Sequence, residues 1–249
     1  MKNKFGEAWD QLFQPPVAHR GLWTPDGAPE NSLAAFQAAC HAGYGIELDV
    51  HLSADGEAMV FHDYSLKRMT GAEGHLRDHT AADLGQLRLR GTDEAIPTLL
   101  DVLAIVGHRA MVHVELKTPF GEVGPLEQRV HEILIDHNGP VCVIGFNPYS
   151  HAWFADRFPG VLRGLDSYSW SDDQPHLSAE QRKSFSQLEH VSIARPHFLA
   201  MSTDMVADPK VVAYREQGLP VVAWTVRSAA QWEMIAPHCD NMIFEGFAA

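Results

Sequence analysis

The stretch Gly45–Asp63, GIELDVHLSADGEAMVFHD, decides how the chain is read. Glu47 and Asp49 stand two residues apart in an apolar run of Ile46, Leu48 and Val50. On a strand, residues i and i+2 project from one face, so both carboxylates aim at one point. Asp55-Gly56 follows as a two-residue hairpin turn signal. Folding about that pair sets Ala54 opposite Glu57 and Asp49 opposite His62. The predicted register brings an imidazole beside two carboxylates, a candidate metal site with an acid/base partner in one supersecondary unit. An ordinary amphipathic hairpin with a polar face is the plain alternative for this stretch taken alone.

Upstream, residues 1–16 read as a short amphipathic lead-in closed by Pro15-Pro16. Val17-Ala18-His19-Arg20-Gly21 is an apolar run that ends in polar residues and a glycine. Asn31 or Ser32 then caps a helix carrying Leu33, Phe36 and Ala39, which Gly43 ends. Downstream, residues 63–97 are polar and glycine-bearing, with one weak helix near 80–87, and read as an insertion over one end of the fold. From Ile96 the alternation resumes. Helices near 98–107, 122–137, 150–157, 178–189, 208–217 and 228–236 separate strands at 111–116, 141–146, 161–165, 197–201, 220–226 and 241–244. With strands at 17–19 and 46–50 these make eight forward strands, residues 57–62 being the return arm of the hairpin. Strands alternating with helices imply a parallel sheet. Eight of them in 249 residues imply an α/β fold, a (β/α)₈ TIM barrel spanning 1–249, with 63–97 as a small insertion after the second-strand hairpin. The rival is an open doubly wound sheet, but no GxGxxG loop follows the first strand, which weakens a dinucleotide-binding version.

The net charge of −13 argues against a general nucleic-acid surface or a basic membrane patch. It leaves an anionic substrate open, because a local cation site overrides the global sign. Cys40, Cys142 and Cys239 are widely spaced, odd in number and in apolar settings, so they read as buried thiols of a reducing compartment. The N-terminal residues lack the apolar core of a signal peptide, and no segment approaches membrane-spanning length. A cytoplasmic protein is expected, with no integral membrane segment and no nucleic-acid partner; the oligomeric state is left open.

In such a barrel, chemistry sits at the C-terminal ends of the strands. Unusual polar residues collect there: His19-Arg20 after the first strand, Glu47 and Asp49 on the second, His62 on the returning arm, Glu115 and Lys117 on the next, and Trp224 on the seventh. Glu47, Asp49 and Glu115 form a hard oxygen cage that suits one divalent cation, Mg²⁺ or Ca²⁺. A His-rich zinc signature is missing from the sequence. His19 and His62 suit an acid/base pair near neutral pH. Arg20 and Lys117 suit a non-bridging phosphoryl oxygen. Cation, basic side chains and two imidazoles together match the needs of a phosphodiester: charge neutralised at phosphorus, one proton removed and one supplied. A structural ion-pair network among the same residues is the competing reading, and Trp224 serves as well for core packing as for a substrate platform. His113 precedes Glu115 by two residues and so could look into the barrel behind it. The remaining histidines, His51 and His176 among them, show no partner pattern and read as surface or packing residues.

These residues also carry a resemblance. His19-Arg20-Gly21 and Pro29-Glu30-Asn31-Ser32 leading to Ala35-Phe36 are similar to the opening of the glycerophosphodiester phosphodiesterases. Glu47-Leu-Asp-Val50, Asp55-Gly56 and His62-Asp63 resemble that family's core motif. Ile96-Pro97-Thr98-Leu99, Glu115-x-Lys117 and Trp224-Thr225-Val226 resemble its later motifs, in order. The resemblance implies a TIM barrel with a small insertion and a divalent metal, hydrolysing glycerophosphodiesters to sn-glycerol 3-phosphate and an alcohol. It implies Glu47, Asp49 and Glu115 as metal ligands and His19 and His62 as the acid/base pair. Arg20 and Lys117 would contact phosphate, Glu30 and Asn31 would bind or orient at the rim, and Trp224 would pack on the glycerol. The chain departs from the family's pattern at His113, at Arg227 after the WTV run, and at Phe244-Glu245, where Thr-Asp is usual. Two other functions keep the same residues: lysophospholipase D-type hydrolysis of lysophospholipids, and a barrel that binds phosphodiesters without turnover.

Overall fold

The computed structural model describes residues 5–169 and 177–249. His176 and the first residues of the expected lead-in lie outside the described residues. The strands are β1 (Val17–Ala18), β2 (Gly45–Leu52), β3 (Ala58–Val60), β4 (Val112–Leu116), β5 (Val141–Gly145), β6 (Leu162–Ser167), β7 (Phe198–Ser202), β8 (Val221–Val226) and β9 (Asn241–Phe244). The helices are α1 (Glu7–Gln11), α2 (Leu33–Ala42), α3 (Lys67–Thr70), α4 (Ala81–Leu84), α5 (Leu99–Val106), α6 (Pro125–Ile135), α7 (Pro148–Arg157), α8 (Ala179–Ser186), α9 (Val191–Ala194), α10 (Pro209–Glu216) and α11 (Ala229–Ile235). Neighbouring strands run β1-β9-β8-β7-β6-β5-β4-β2-β3, and β1 also pairs with β2, which closes the sheet. Every pair is parallel except β2 with β3. The molecule is a (β/α)₈ barrel with β3 as an extra antiparallel arm.

Local chemistry explains the helix ends. The Ser32 hydroxyl accepts from Ala35 N–H at the start of α2, and Gly43 in the left-handed region ends it. Thr98 and Asp101 form a reciprocal capping box on α5.

Alternation along the strands then sorts the side chains. Ile46, Leu48, Val50, Val112 and Val114 point outward into the apolar layer beneath the helices. Val17, Met111, Cys142, Leu162, Phe198, Val222 and Ile243 fill the barrel interior. Leu12 packs into that interior with Trp9 and Phe13 against it. The Asn241 amide clips this N-terminal segment by donating to Leu12 O at 3.0 Å and Pro15 O at 2.9 Å. Apolar packing thus fills one end of the barrel and leaves the C-terminal strand ends for polar groups.

The hairpin register differs from expectation. Val50 pairs with Val60, His51 with Met59 and Leu52 with Ala58, one residue away from the alignment that sets Asp49 against His62. The turn uses three residues: Ser53 N–H donates to Glu57 O at 2.9 Å, and Gly56 takes φ +85°. A three-residue loop closed by a left-handed glycine competes with the two-residue Asp-Gly turn and wins here. The strand ends at Val60 and the last ladder bond is Phe61 N–H to Asp49 O at 2.9 Å, so His62 reaches the strand ends by leaving the sheet.

The insertion is less polar than its composition suggests. Leu66, Met69, Leu76, Leu84 and Leu89 bury themselves with Met59, Phe61 and Ile96 in a cluster of their own. Cys142 and Cys239 are buried and Cys40 is half-buried, all three unpaired.

At Gly164, inside the barrel, an added Cβ would fall 2.2 Å from the Phe198 ring. We expect Gly164→Ala to destabilise the fold by roughly 1–3 kcal/mol through overpacking, read as a lower urea midpoint; an unchanged midpoint would contradict this interior packing.

Candidate active site

The C-terminal ends of β1, β2 and β4 converge on one group of carboxylates. Ligand oxygens of Glu47, Asp49 and Glu115, all buried, lie within 4.8 Å of one another. The strand register supplies this, because Glu47 pairs with His113 and Asp49 with Glu115 across β2 and β4. Lys117 Nζ sits 2.8 Å from Asp49 Oδ1 and 2.6 Å from Glu115 Oε1.

Arg20 approaches from the other side. Its backbone N–H donates to Glu47 Oε2 at 2.9 Å, and its Nε lies 3.5 Å from Asp49 Oδ2. Arg20 adopts φ +56°, and Gly21 follows at φ +80°, where a Cβ would also strike the Ala35 backbone at 2.9 Å. Glu30 and Asn31 are buried under this turn instead of lining the rim. Glu30 Oε1 accepts from Arg20 at 2.8 Å, and the Asn31 amide donates to Asp49 Oδ2 at 2.8 Å. Both residues therefore hold other site groups in place.

The two histidines meet different carboxylates. His19 Nδ1 lies 2.6 Å from Glu245 Oε2, with Nε2 3.9 Å from Glu47. His62 Nδ1 lies 2.7 Å from Asp63 Oδ1. An ionised carboxylate only accepts, so each pairing puts the proton on Nδ1 and leaves Nε2 as the other functional nitrogen. Burial pushes Glu245 up, but the His19 hydrogen bond and the Arg227 guanidinium, 2.8 Å from its other oxygen, hold it at about 2. Asp63 is likewise held down against burial by Arg68 and His62. Burial lowers His62, with Lys117 and Arg20 adding to the effect against Asp49.

Charge is unbalanced in this space. Glu47 and Glu115 are joined by Asp166, whose side chain enters the same cavity from β6. Burial and the neighbouring carboxylates Asp49 and Glu115 raise Glu47 well above the ordinary range. Burial raises Glu115 to about 7 despite Lys117. Asp49 goes the other way, because Lys117, His62 and Arg20 outweigh its burial. Four carboxylates with Asp49 included face two nearby cations, Arg20 and Lys117. Glu47 Oε1 and both Asp166 oxygens have no hydrogen-bond partner.

Trp224, half-buried, is fixed by its Nε1–H donating to Ala200 O at 2.9 Å. Its ring meets Phe146 edge-on at 5.5 Å.

Comparison with known proteins places this geometry. The sequence model of the Glycerophosphoryl diester phosphodiesterase family matches residues 19–135. A glycerophosphodiester phosphodiesterase of Caldanaerobacter subterraneus subsp. tengcongensis is 33% identical over 91% of this chain and 92% of its own. The chain belongs to the glycerophosphodiester phosphodiesterase family. Among solved structures, the Thermotoga maritima glycerophosphodiester phosphodiesterase is 27% identical, with a TM-score of 0.71 over 93% of this chain and 94% of that one. An Oleispira antarctica phosphodiesterase, solved in complex with the product sn-glycerol 3-phosphate, shares the fold at 24% identity and a TM-score of 0.80, over 96% of this chain and 94% of that one.

All ten residues singled out from the sequence lie at or beneath the strand ends of this family member. Several contributors were missed. His51, read as a packing residue, is buried with Nε2 2.9 Å from the His62 carbonyl. Arg68 of the insertion donates to Glu30 Oε1 at 2.6 Å and to Asp63 Oδ2 at 2.6 Å. Asp166 lay one residue past the expected end of its strand at Leu165. The departures Arg227 and Glu245 pair with each other, and Glu245 also pairs with His19, so the two act together. His113 does face the interior, yet it packs edge-on to Phe198 at 6.1 Å, with both ring nitrogens unpartnered and burial lowering it to about 4.

The excess of buried negative charge has a measurable consequence. We expect Glu47→Gln, which can still accept from Arg20 N–H, to stabilise the EDTA-treated protein at alkaline pH, where the wild-type carboxyl ionises, by about 1 kcal/mol, a Tm gain of roughly 2–4 °C, and to leave it unchanged at low pH, where that carboxyl is neutral. A fall in Tm would show that the cluster is already balanced.

Proposed function

We propose that this chain hydrolyses glycerophosphodiesters to sn-glycerol 3-phosphate and an alcohol, with one divalent cation, Mg²⁺ or Ca²⁺, held by Glu47, Asp49 and Glu115. The observation that carries the reading is the buried oxygen cluster, with its unpartnered Glu47 oxygen and its surplus negative charge. Three hard oxygen donors on adjacent strands fit such a cation, and nitrogen or sulfur ligands are missing from the cluster. Bound there, the cation would neutralise charge building on the phosphoryl oxygens.

The chain's own residues supply the rest. Arg20 and Lys117 stand beside the cluster and would bind the remaining phosphoryl oxygens. The nucleophile is water or the substrate's glycerol 2-hydroxyl, the latter giving a cyclic phosphate that water then opens. As the new P–O bond forms, one histidine takes the nucleophile's proton; as the old P–O bond breaks, the other gives a proton to the departing alkoxide. Glu245 and Asp63 hold the two rings so that both Nε2 atoms are available. Glu30 and Asn31 fix Arg20 and Asp49, and Trp224 offers an apolar face to the glycerol. Three unpaired thiols suit a reducing compartment and support a cytoplasmic placement.

The direct assay is release of sn-glycerol 3-phosphate from glycerophosphocholine, glycerophosphoethanolamine and glycerophosphoglycerol. Release should stop in EDTA and return with Mg²⁺ or Ca²⁺. Folded protein inactive on all three with either metal would defeat the proposal, and activity confined to lysophosphatidylcholine would move it to the lysophospholipase D class. His19→Ala and His62→Ala should each lower kcat by roughly 10²–10⁴-fold; near-full kcat in either variant would remove that histidine from proton transfer.

A further inference from the structure

Asp166 is a carboxyl group without a partner. It is 2% exposed, and neither of its oxygens has a hydrogen bond. Buried carboxyl groups in native folds are paired or await a ligand, because an unsatisfied one is costly. Ile144, Phe146 and Trp224 share its cavity without charge, and the cations there, Arg20, Lys117 and Arg227, are paired with Glu30, Glu115 and Glu245 instead. Leu162 lies in the barrel interior, so Gly164 and Asp166, two and four residues on, share that inward face.

Position separates Asp166 from the cation cluster. Glu47, Asp49 and Glu115 gather within 4.8 Å, and Asp166 is not part of that group. Among the parallel strands β6 is the fifth of eight from β1, so it stands across the barrel from His19 and Arg20. The phosphoryl-binding groups sit on the β1-β2-β4 side. Asp166 faces them over a cavity of about 200 Å³ that Trp224 and Phe146 also line. This is smaller than the roughly 300–1,000 Å³ of common ligand pockets. A second cavity, about 920 Å³, opens past Lys117 toward Tyr64, Arg77 and Phe120. Glycerophosphodiesters share one constant half, the glycerol, and vary in the other. The tight compartment suits the constant half and the wide one the variable alcohol.

We propose that Asp166 is the specificity residue for the glycerol half, its carboxyl group hydrogen-bonding the free glycerol hydroxyls while Trp224 packs on the carbons. The assignment rests on the phosphodiesterase reading above. It differs from metal binding and from proton transfer: Asp166 recognises a part of the substrate that does not react. A site built to pair with a hydroxyl discriminates strongly against ligands that lack it.

The test compares ligands with and without glycerol. Binding of sn-glycerol 3-phosphate and of inorganic phosphate is measured by calorimetry on full-length wild type, Asp166→Asn and Asp166→Ala, with Mg²⁺ present. Both variants should weaken sn-glycerol 3-phosphate by about 10–100-fold, the range for leaving a buried hydroxyl without its partner, and shift inorganic phosphate by no more than about twofold. The kcat/KM ratio of glycerophosphocholine to bis(p-nitrophenyl) phosphate should fall in parallel. Two variants keep the test open if one fails to fold, with melting curves as the check. Equal losses on both ligands, or none on either, would overturn the role of Asp166 while wild-type turnover leaves the phosphodiesterase reading standing. Wild type that neither binds sn-glycerol 3-phosphate nor hydrolyses glycerophosphocholine would overturn both.

Discussion

Electrostatic repulsion among buried carboxylates is the constraint around which this barrel is arranged. Parallel strands in adjacent register bring Glu47, Asp49 and Glu115 to one point, and a low-dielectric surrounding makes their like charges expensive. The neighbouring structure answers that repulsion. Lys117 reaches between Asp49 and Glu115, the Arg20 backbone and side chain turn toward Glu47 and Asp49, and Asn31 donates to Asp49. Burial raises Glu47 and Glu115, and those answers are too incomplete to return either to the ordinary carboxylate range. The proposed cation would relieve what those answers leave over. Stability is given up locally where function needs it, on a scaffold whose opposite end is packed with apolar side chains.

Support for Arg20 and the two histidines comes from further along the chain. Arg68, carried by the insertion, ties together Glu30 beneath Arg20 and Asp63 behind His62. The insertion's own apolar cluster gives that arginine a firm base. On the other flank of β1, past the ends of β8 and β9, Arg227 and Glu245 form a pair that orients His19. Each histidine thus leans on a carboxylate that is itself held by an arginine. This arrangement fixes ring orientation without burying an unpaired charge.

Much of this was readable from residue order. Period-two runs separated by helical segments marked the eight strands, and polar residues at their ends marked the site. What escaped had physical causes. The hairpin slipped by one because a left-handed Gly56 can close a three-residue loop as readily as a two-residue one. His62 kept its place only because the chain leaves the ladder after Phe61, which no pairing rule foretells. Asp166 was lost because an apolar run was ended at its last apolar residue, whereas the strand continues through Ser167. Glu30 and Asn31 were expected at the rim, yet two consecutive polar residues are buried under a turn in which Arg20 and Asn31 both adopt positive φ. Arg227 and Glu245 looked like two unrelated departures, because a contact between residues 18 positions apart on neighbouring strand ends is invisible in either position alone.

The central claim is that the three carboxylates on β2 and β4 form a cation site. It is tested most directly by anomalous diffraction from crystals soaked in Mn²⁺, a hard cation with the same preference for oxygen ligands as Mg²⁺. The account predicts one strong peak in contact with Glu47, Asp49 and Glu115 together, with the Lys117 ammonium moved aside from at least one of its present partners. A well-diffracting crystal with no peak there, or with Mn²⁺ bound only elsewhere, would contradict it.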